Sequence, residues 1–277
     1  MHTGFSESVG VFTMLHDSMP VLRGEPMLYH DPPSYDRLHD AFSEDIPFWI
    51  DVARQAMQTC PEGVVVELAC GTGRVTVPLA EAGIPIIGVD NAEVMLLSAQ
   101  ERARRCNLNP DNPRFVLGDM VDCASVLMTD RPVSAVIIPL HSLSHLLTWE
   151  DLLHGLTAIR NVLHPAGILA LALHVPDLEV LCRDETAMYP LDIAQGIGYE
   201  QTRYDANNQV LHSTWWLEDE NGDVTDSAEF SLRMIFPQEL NLLLHAAGFM
   251  VTQRYGWYDY AEVQEYQGTQ IVVAQCP

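Results

Sequence analysis

Around residue 67 the chain reads Val64-Val65-Val66-Glu67-Leu68-Ala69-Cys70-Gly71-Thr72-Gly73-Arg74. An apolar run ends in an acid, passes through a glycine turn and enters an amphipathic stretch. This is a strand handing over to a helix through bare backbone, and the glycines let a ligand approach the helix N-terminus where a Cβ would block it. The next apolar run, 85–90, also ends in an acid, Asp90. It lies about 20 residues on, the spacing at which a carboxylate reaches the ribose hydroxyls of a nucleoside lying over the strand ends. A Gly-x-Gly turn alone says little; turn, helix, second strand and terminal acid together confine the chain to a parallel α/β sheet.

The surrounding pattern agrees. Apolar runs at 64–68, 85–90, 114–119, 134–139 and 168–173 alternate with helical stretches at 73–82, 91–106 and 148–162, the last with Glu150 and Asp151 in its favourable first turn. Strands apolar on both faces and separated by helices pair in parallel with right-handed crossovers. After 175 the rhythm changes. Segments 199–204, 209–217 and 224–235 alternate with period two, and Glu220-Asn221-Gly222-Asp223 is a hairpin turn. A helix over 237–247, closed by Gly248, precedes two last strands at 249–254 and 269–274. Prolines 20, 26, 32 and 33 break the first stretch, and helices are expected over 35–42 and 47–60. The division expected is 1–34 as an N-terminal arm or lid, 35–175 as a nucleoside-binding core, 176–235 as an antiparallel cap over the substrate, and 236–277 as the closing helix and strands.

Charge and composition narrow the ligand. The chain has 277 residues and a net charge of −24, and all 14 basic residues are arginine. Lysine Schiff-base chemistry and a phosphate-gripping lysine are excluded. Nucleic acid and anionic membrane surfaces would be repelled for want of a basic footprint. The dinucleotide fingerprint needs a third glycine where Thr76 stands, so a phosphate-free nucleoside fits the turn better. The six cysteines form no Cys-x-x-Cys pair and none sits beside histidines at zinc spacing, so no metal site is expected. The N-terminus shows no basic segment followed by an apolar run, and no stretch approaches 18 apolar residues, which makes a cytoplasmic protein the expectation.

On these residues the chain resembles the class I S-adenosylmethionine-dependent methyltransferases, over roughly 35–277 and most specifically over 63–175. The family turn is acid-x-Gly-x-Gly-x-Gly, and Ala69 stands here for its first glycine. The resemblance implies a Rossmann-like fold: a mostly parallel seven-stranded sheet with helices on both faces, and an antiparallel β insert covering the active site. It implies S-adenosylmethionine as cofactor, with the turn Glu67, Ala69, Cys70, Gly71 and Gly73 facing the methionine moiety. Asp90 would hold the ribose diol, Asn91 and Met95 would flank the adenine, and Gly118-Asp119-Met120 would contact its edge. Leu140 would lie near the sulfonium, and Tyr35, with Tyr29 second, would cover the cofactor.

Methyl transfer is an in-line displacement that needs alignment and exclusion of water, and a hydroxyl or carbon acceptor also needs a base. His141 and His145, four residues apart after the fourth strand, and His174 after the fifth are the candidates, since histidine titrates near neutral pH. Around the acceptor, Tyr29, Tyr199, Trp215 and Arg233 are the expected contacts. One of Trp215 and Trp216 should face inward, and Arg233 would grip a substrate carboxylate or phosphate. The reading is a methyltransferase acting on an N, O or C atom of a small metabolite or natural-product intermediate, with a homodimer left open. Its rivals are a NAD(P)- or flavin-binding oxidoreductase and a non-catalytic binding module on the same fold.

Overall fold

The computed structural model describes residues 28–127, 129–191, 197–264 and 268–276. β1 (Val64–Leu68), β2 (Ile86–Asp90), β3 (Arg114–Leu117), β4 (Val133–Ile138) and β5 (Leu163–His174) run parallel. β10 (Met250–Tyr255) and β11 (Thr269–Gln275) close the edge antiparallel. These seven strands form one sheet in the order β10-β11-β5-β4-β1-β2-β3.

Period-two alternation divides the core between the faces of this sheet. Val66, Leu68, Val89, Val136 and Ile138 pack toward α6 (Trp149–Val162) and α8 (Pro237–Ala246). Val65, Ile86, Ala135 and Ile137 pack toward α2 (Ile46–Thr59) and α3 (Thr76–Glu81), where Phe48 and Trp49 are wholly buried. α4 (Glu93–Arg105) crosses between β2 and β3, and α1 (Pro32–His39) precedes α2. A second sheet, β6 (Tyr189–Leu191), β7 (Ile197–Asp205), β8 (Val210–Glu218) and β9 (Val224–Arg233), is antiparallel throughout and lies between β5 and α8 in the chain.

The first helix, expected over 35–42, runs from Pro32 to His39, and three further boundaries differ for physical reasons. The helix expected from residue 73 starts at Thr76, because Gly73 has a φ of 79°, outside the helical region. The third strand stops at Leu117, after which Asp119 accepts from its own Val121 N–H to make a turn. The stop expected at 164–167 is instead an excursion within one long strand: Leu163 pairs with Val133, and pairing resumes with Ile168 opposite Ala135. The short helices α5 (Cys123–Val126) and α7 (Leu178–Leu181) lie below the length at which periodicity can be read. Most of the expected N-terminal arm lies outside the described residues.

Candidate functional site

After β1 the backbone turns left-handed three times, at Ala69 (φ 55°), Gly71 (φ 53°) and Gly73 (φ 79°). Ala69 takes this conformation with a Cβ, at a cost of about 1 kcal/mol. The turn is tied to β2 by Asp90, whose Oδ2 accepts from Gly71 N at 2.7 Å and whose Oδ1 accepts from Ala92 N at 2.9 Å. Burial raises the Asp90 carboxyl above its ordinary range, and these backbone donors oppose the shift.

A cavity of about 360 Å³ opens above this turn. Ala69, Gly71, Asp90, Asn91 and Met95 line one side, and Gly118, Asp119 and Met120 line another. Tyr35 closes it: a Cβ placed on Gly71 would stand 3.5 Å from the Tyr35 ring and hydroxyl. Tyr29, Ser142 and His145 also line it. Burial raises Tyr29 to about 12 and Tyr35 further, so both phenols stay protonated.

α1 carries Tyr35 and is fixed to the turn by charge. Thr72 Oγ1 donates to Asp36 Oδ1 at 2.6 Å, and Arg102 reaches both Asp36 and Asp40 at 2.9 Å. Beneath, Arg74 makes two bonds to Asp45, at 2.7 and 2.6 Å, and a third to Phe42 O at 2.7 Å. Trp49 Nε1 donates to the same carboxylate at 2.9 Å.

A larger cavity of about 640 Å³ lies between the strand ends and the second sheet. The inward face of that sheet supplies Leu211, Ser213, Trp215 and Phe230. Leu38 and His39 of α1 and Val180 and Leu181 also line it. His141, His145 and His174 all face it, and burial lowers each imidazole below its usual value. His141 stacks on His174 with centroids 3.4 Å apart, while His145 meets Tyr29 edge-on. Tyr29 and His145 line both cavities.

Six expected contacts are placed elsewhere. Glu67 is sealed under the turn, where it accepts from Thr76 Oγ1; burial pushes its carboxyl up to about 8. Cys70 points down onto Gly88, and Gly73 packs on Ala99 and Val77 rather than facing the cavity. Leu140 lines the larger cavity and not the one above the turn. Tyr199 pairs with Trp216 in register, on the sheet face opposite to Trp215, so of the two tryptophans Trp215 faces in. Arg233 is committed through its two terminal nitrogens to Glu239 at 2.6 Å, to Gln209 Oε1 and to the carbonyls of Leu147 and Asn208, its Nε is buried, and it lines neither cavity, so it does not reach a substrate anion there.

The family model described as a methyltransferase domain matches residues 65–167, the segment that builds the turn, Asp90, Asp119 and His141. The chain carries a methyltransferase domain over these residues. A putative methyltransferase of Bacillus subtilis, YqeM, is 31% identical over 136 residues, 46% of this chain and 52% of its own length. The chain thus spans about half the length of that curated relative. Among solved structures, the CcbJ methyltransferase of Streptomyces caelestis superposes with a TM-score of 0.77 at 23% identity, over 91% of this chain and 99% of that one. An S-adenosylmethionine-dependent methyltransferase of Clostridium acetobutylicum does so with a TM-score of 0.70 at 18% identity, over 87% and 96%. At these identities the likeness shows the fold.

Around the methyltransferase domain the sequence reading missed Glu200. Its carboxylate lines the larger cavity, accepting from Ser213 Oγ at 2.6 Å and pairing with Arg183 at 3.0 Å. The signal was available, since Glu200 alternates with Tyr199 and, opposite Trp215 on β8, shares its face. The Arg74–Asp45 pair was out of reach, because a sequence separation of 29 hides the contact. Among the described residues no group of three or more His, Cys, Asp or Glu is disposed to hold a metal ion, and no helix is long and apolar enough to cross a membrane.

Proposed function

We propose that the protein transfers a methyl group from S-adenosylmethionine to an N, O or C atom of a small molecule. The observation that carries this is the shared wall: Tyr29 and His145 border both the cavity above the glycine turn and the larger one beneath the second sheet. A nucleoside in the first and an acceptor in the second would meet there.

The first cavity fits the nucleoside. The bare backbone at Gly71 leaves room for the methionine moiety, and Asp90 keeps a second lone pair on each oxygen for the ribose hydroxyls. Asn91, Met95, Asp119 and Met120 would enclose the adenine, and Tyr35 would lid the site. When bound, S-adenosylmethionine would supply the electrophilic sulfonium methyl. This chain aligns the acceptor against the shared wall and excludes water with Tyr29, Tyr35 and the apolar lining. His145, neutral and beside that wall, would accept the proton of a hydroxyl or of an ammonium acceptor.

A small-molecule acceptor is supported by the size and mainly apolar lining of the second cavity, within the range of small-ligand sites. The net charge of −24 speaks against nucleic acid. The test is calorimetric titration with S-adenosylhomocysteine, followed by methyl transfer across a panel of small amines, alcohols and carbon acids. Absence of binding at high micromolar ligand would sink the proposal.

A further inference from the structure

The larger cavity contains an imidazole pair whose geometry fixes more than its location. His141 follows Leu140 directly after β4, and both residues are left-handed, with φ of 61° and 47°. Two such residues in succession, neither glycine, cost about 1–2 kcal/mol each and persist where the surroundings impose them. His174 ends β5, and its ring lies within 25° of parallel to that of His141 at 3.4 Å between centroids. Both rings line the cavity, yet His141 Nδ1 is buried and has no hydrogen-bond partner.

A neutral imidazole has one N–H and one lone pair. A buried N–H facing no acceptor forfeits a hydrogen bond, and orphaned donors are the rarer defect in folded proteins. The proton therefore belongs on Nε2, the nitrogen that is not sealed, and the lone pair on Nδ1. A second proton is opposed by burial and by the stacked His174. The other titratable groups on this cavity are His39, His145, Asp177, Glu200 and Tyr29. Of the two acids, Glu200 is already occupied by Ser213 and Arg183, and Asp177 caps its helix through Glu179 N at 2.8 Å.

We propose that His141 is a specificity-determining donor rather than a base: its Nε2–H, locked in one tautomer by the sealed Nδ1 and by the His174 stack, donates to an oxygen lone pair of the molecule that fills the cavity. That molecule carries a hydroxyl, ether or carbonyl at this wall. With its lone pair sealed, His141 takes no proton from the acceptor, which leaves that task to His145. The use of the cavity for an acceptor rests on the methyltransferase reading; the tautomer does not.

Long-range 1H–15N spectra of the full chain with 15N-labelled histidine, assigned by the signal lost in H141Q, read the tautomer directly. The expected result is a neutral Nε2–H imidazole at every pH from about 6 to 9, on either side of the ordinary histidine value. An Nδ1–H form, or titration within that interval, overturns the proposal. Two variants that melt like the parent, H141F and H141Q, then separate recognition from chemistry on whichever acceptor the panel identifies. H141F keeps a flat ring without an N–H and is expected to raise KM tenfold or more with kcat within about threefold. H141Q restores an N–H and recovers most of that loss. Collapse of kcat at unchanged KM overturns the proposal. A panel without any acceptor counts against the methyltransferase reading, while the spectra still decide the tautomer.

Discussion

The Tyr29 hydroxyl stands 3.3 Å from His145 Nε2, on the wall that the two cavities share. Burial lowers the His145 imidazole, so the neutral form that can take a proton survives to lower pH than in a free histidine. The acid limb of kcat is therefore expected below the ordinary value of about 6.5. H145A should lower kcat about a hundredfold for a hydroxyl acceptor and abolish that limb. Y29F removes one neutral hydrogen bond, about 1 kcal/mol, and should cost roughly fivefold. A pH–rate profile of the three proteins checks this; an acid limb above 6.5 in the parent would contradict it.

The turn, Asp90 and the positions of the parallel strands are legible because each is local: a glycine pattern, a strand-end acid, an apolar run. The side that receives the methyl is less so. Trp215 against Trp216 follows from alternation, but which one faces in depends on register with β7. Arg233 looks like a free cation in the sequence because its partner Glu239 belongs to α8, beyond the sheet. Residue type alone puts Tyr199 in the pocket, and alternation puts it on the far face. Glu67 and Cys70 look like ligand contacts because the motif runs through them. A strand alternates, so Glu67 points beneath the turn to Thr76.

Asp90 should dominate affinity for the nucleoside. D90A removes both the proposed ribose acceptor and the brace on Gly71 N, which lies 2.7 Å away. Calorimetry with S-adenosylhomocysteine is expected to show binding weakened tenfold or more, about 1.4 kcal/mol. Unchanged affinity would remove Asp90 from the ribose site.

Glu67 makes stability depend on pH. Its carboxyl is raised by burial to about 8 in the folded chain, against 4.5 for the ordinary group. The folded state therefore holds its proton over an interval in which the unfolded state has lost it. This stabilisation is complete below about 4.5 and is lost as pH rises through about 8. E67Q, which stays neutral and can still accept from Thr76, should flatten that decline. The variant should be more stable than the parent at pH 9 by a few kcal/mol at most, since each tenfold difference in proton affinity is worth about 1.4 kcal/mol. Urea unfolding at both ends of the interval measures it; parallel curves for the two proteins would dismiss the idea.

The Arg74–Asp45 pair should govern how α2 is held under the turn. Both side chains are buried, at 6% and 0% exposure, and the carboxylate is fully engaged by the guanidinium and by Trp49 Nε1. Each partner is tolerable only because the other is present. D45A leaves an arginine buried without its counter-charge, and R74M leaves a carboxylate so; each is expected to cost about 3–5 kcal/mol. The double variant D45L/R74M removes both charges and fills the space with apolar volume, so its loss should be well below the sum of the singles. Arg74 directly follows Gly73, so R74M should also loosen the turn and weaken S-adenosylhomocysteine binding, whereas D45L/R74M should recover stability without recovering that affinity. Urea denaturation gives the first comparison and calorimetry the second. Additive losses in the double variant would mean that the two groups act independently, and that the bond between them is not what holds α2 in place.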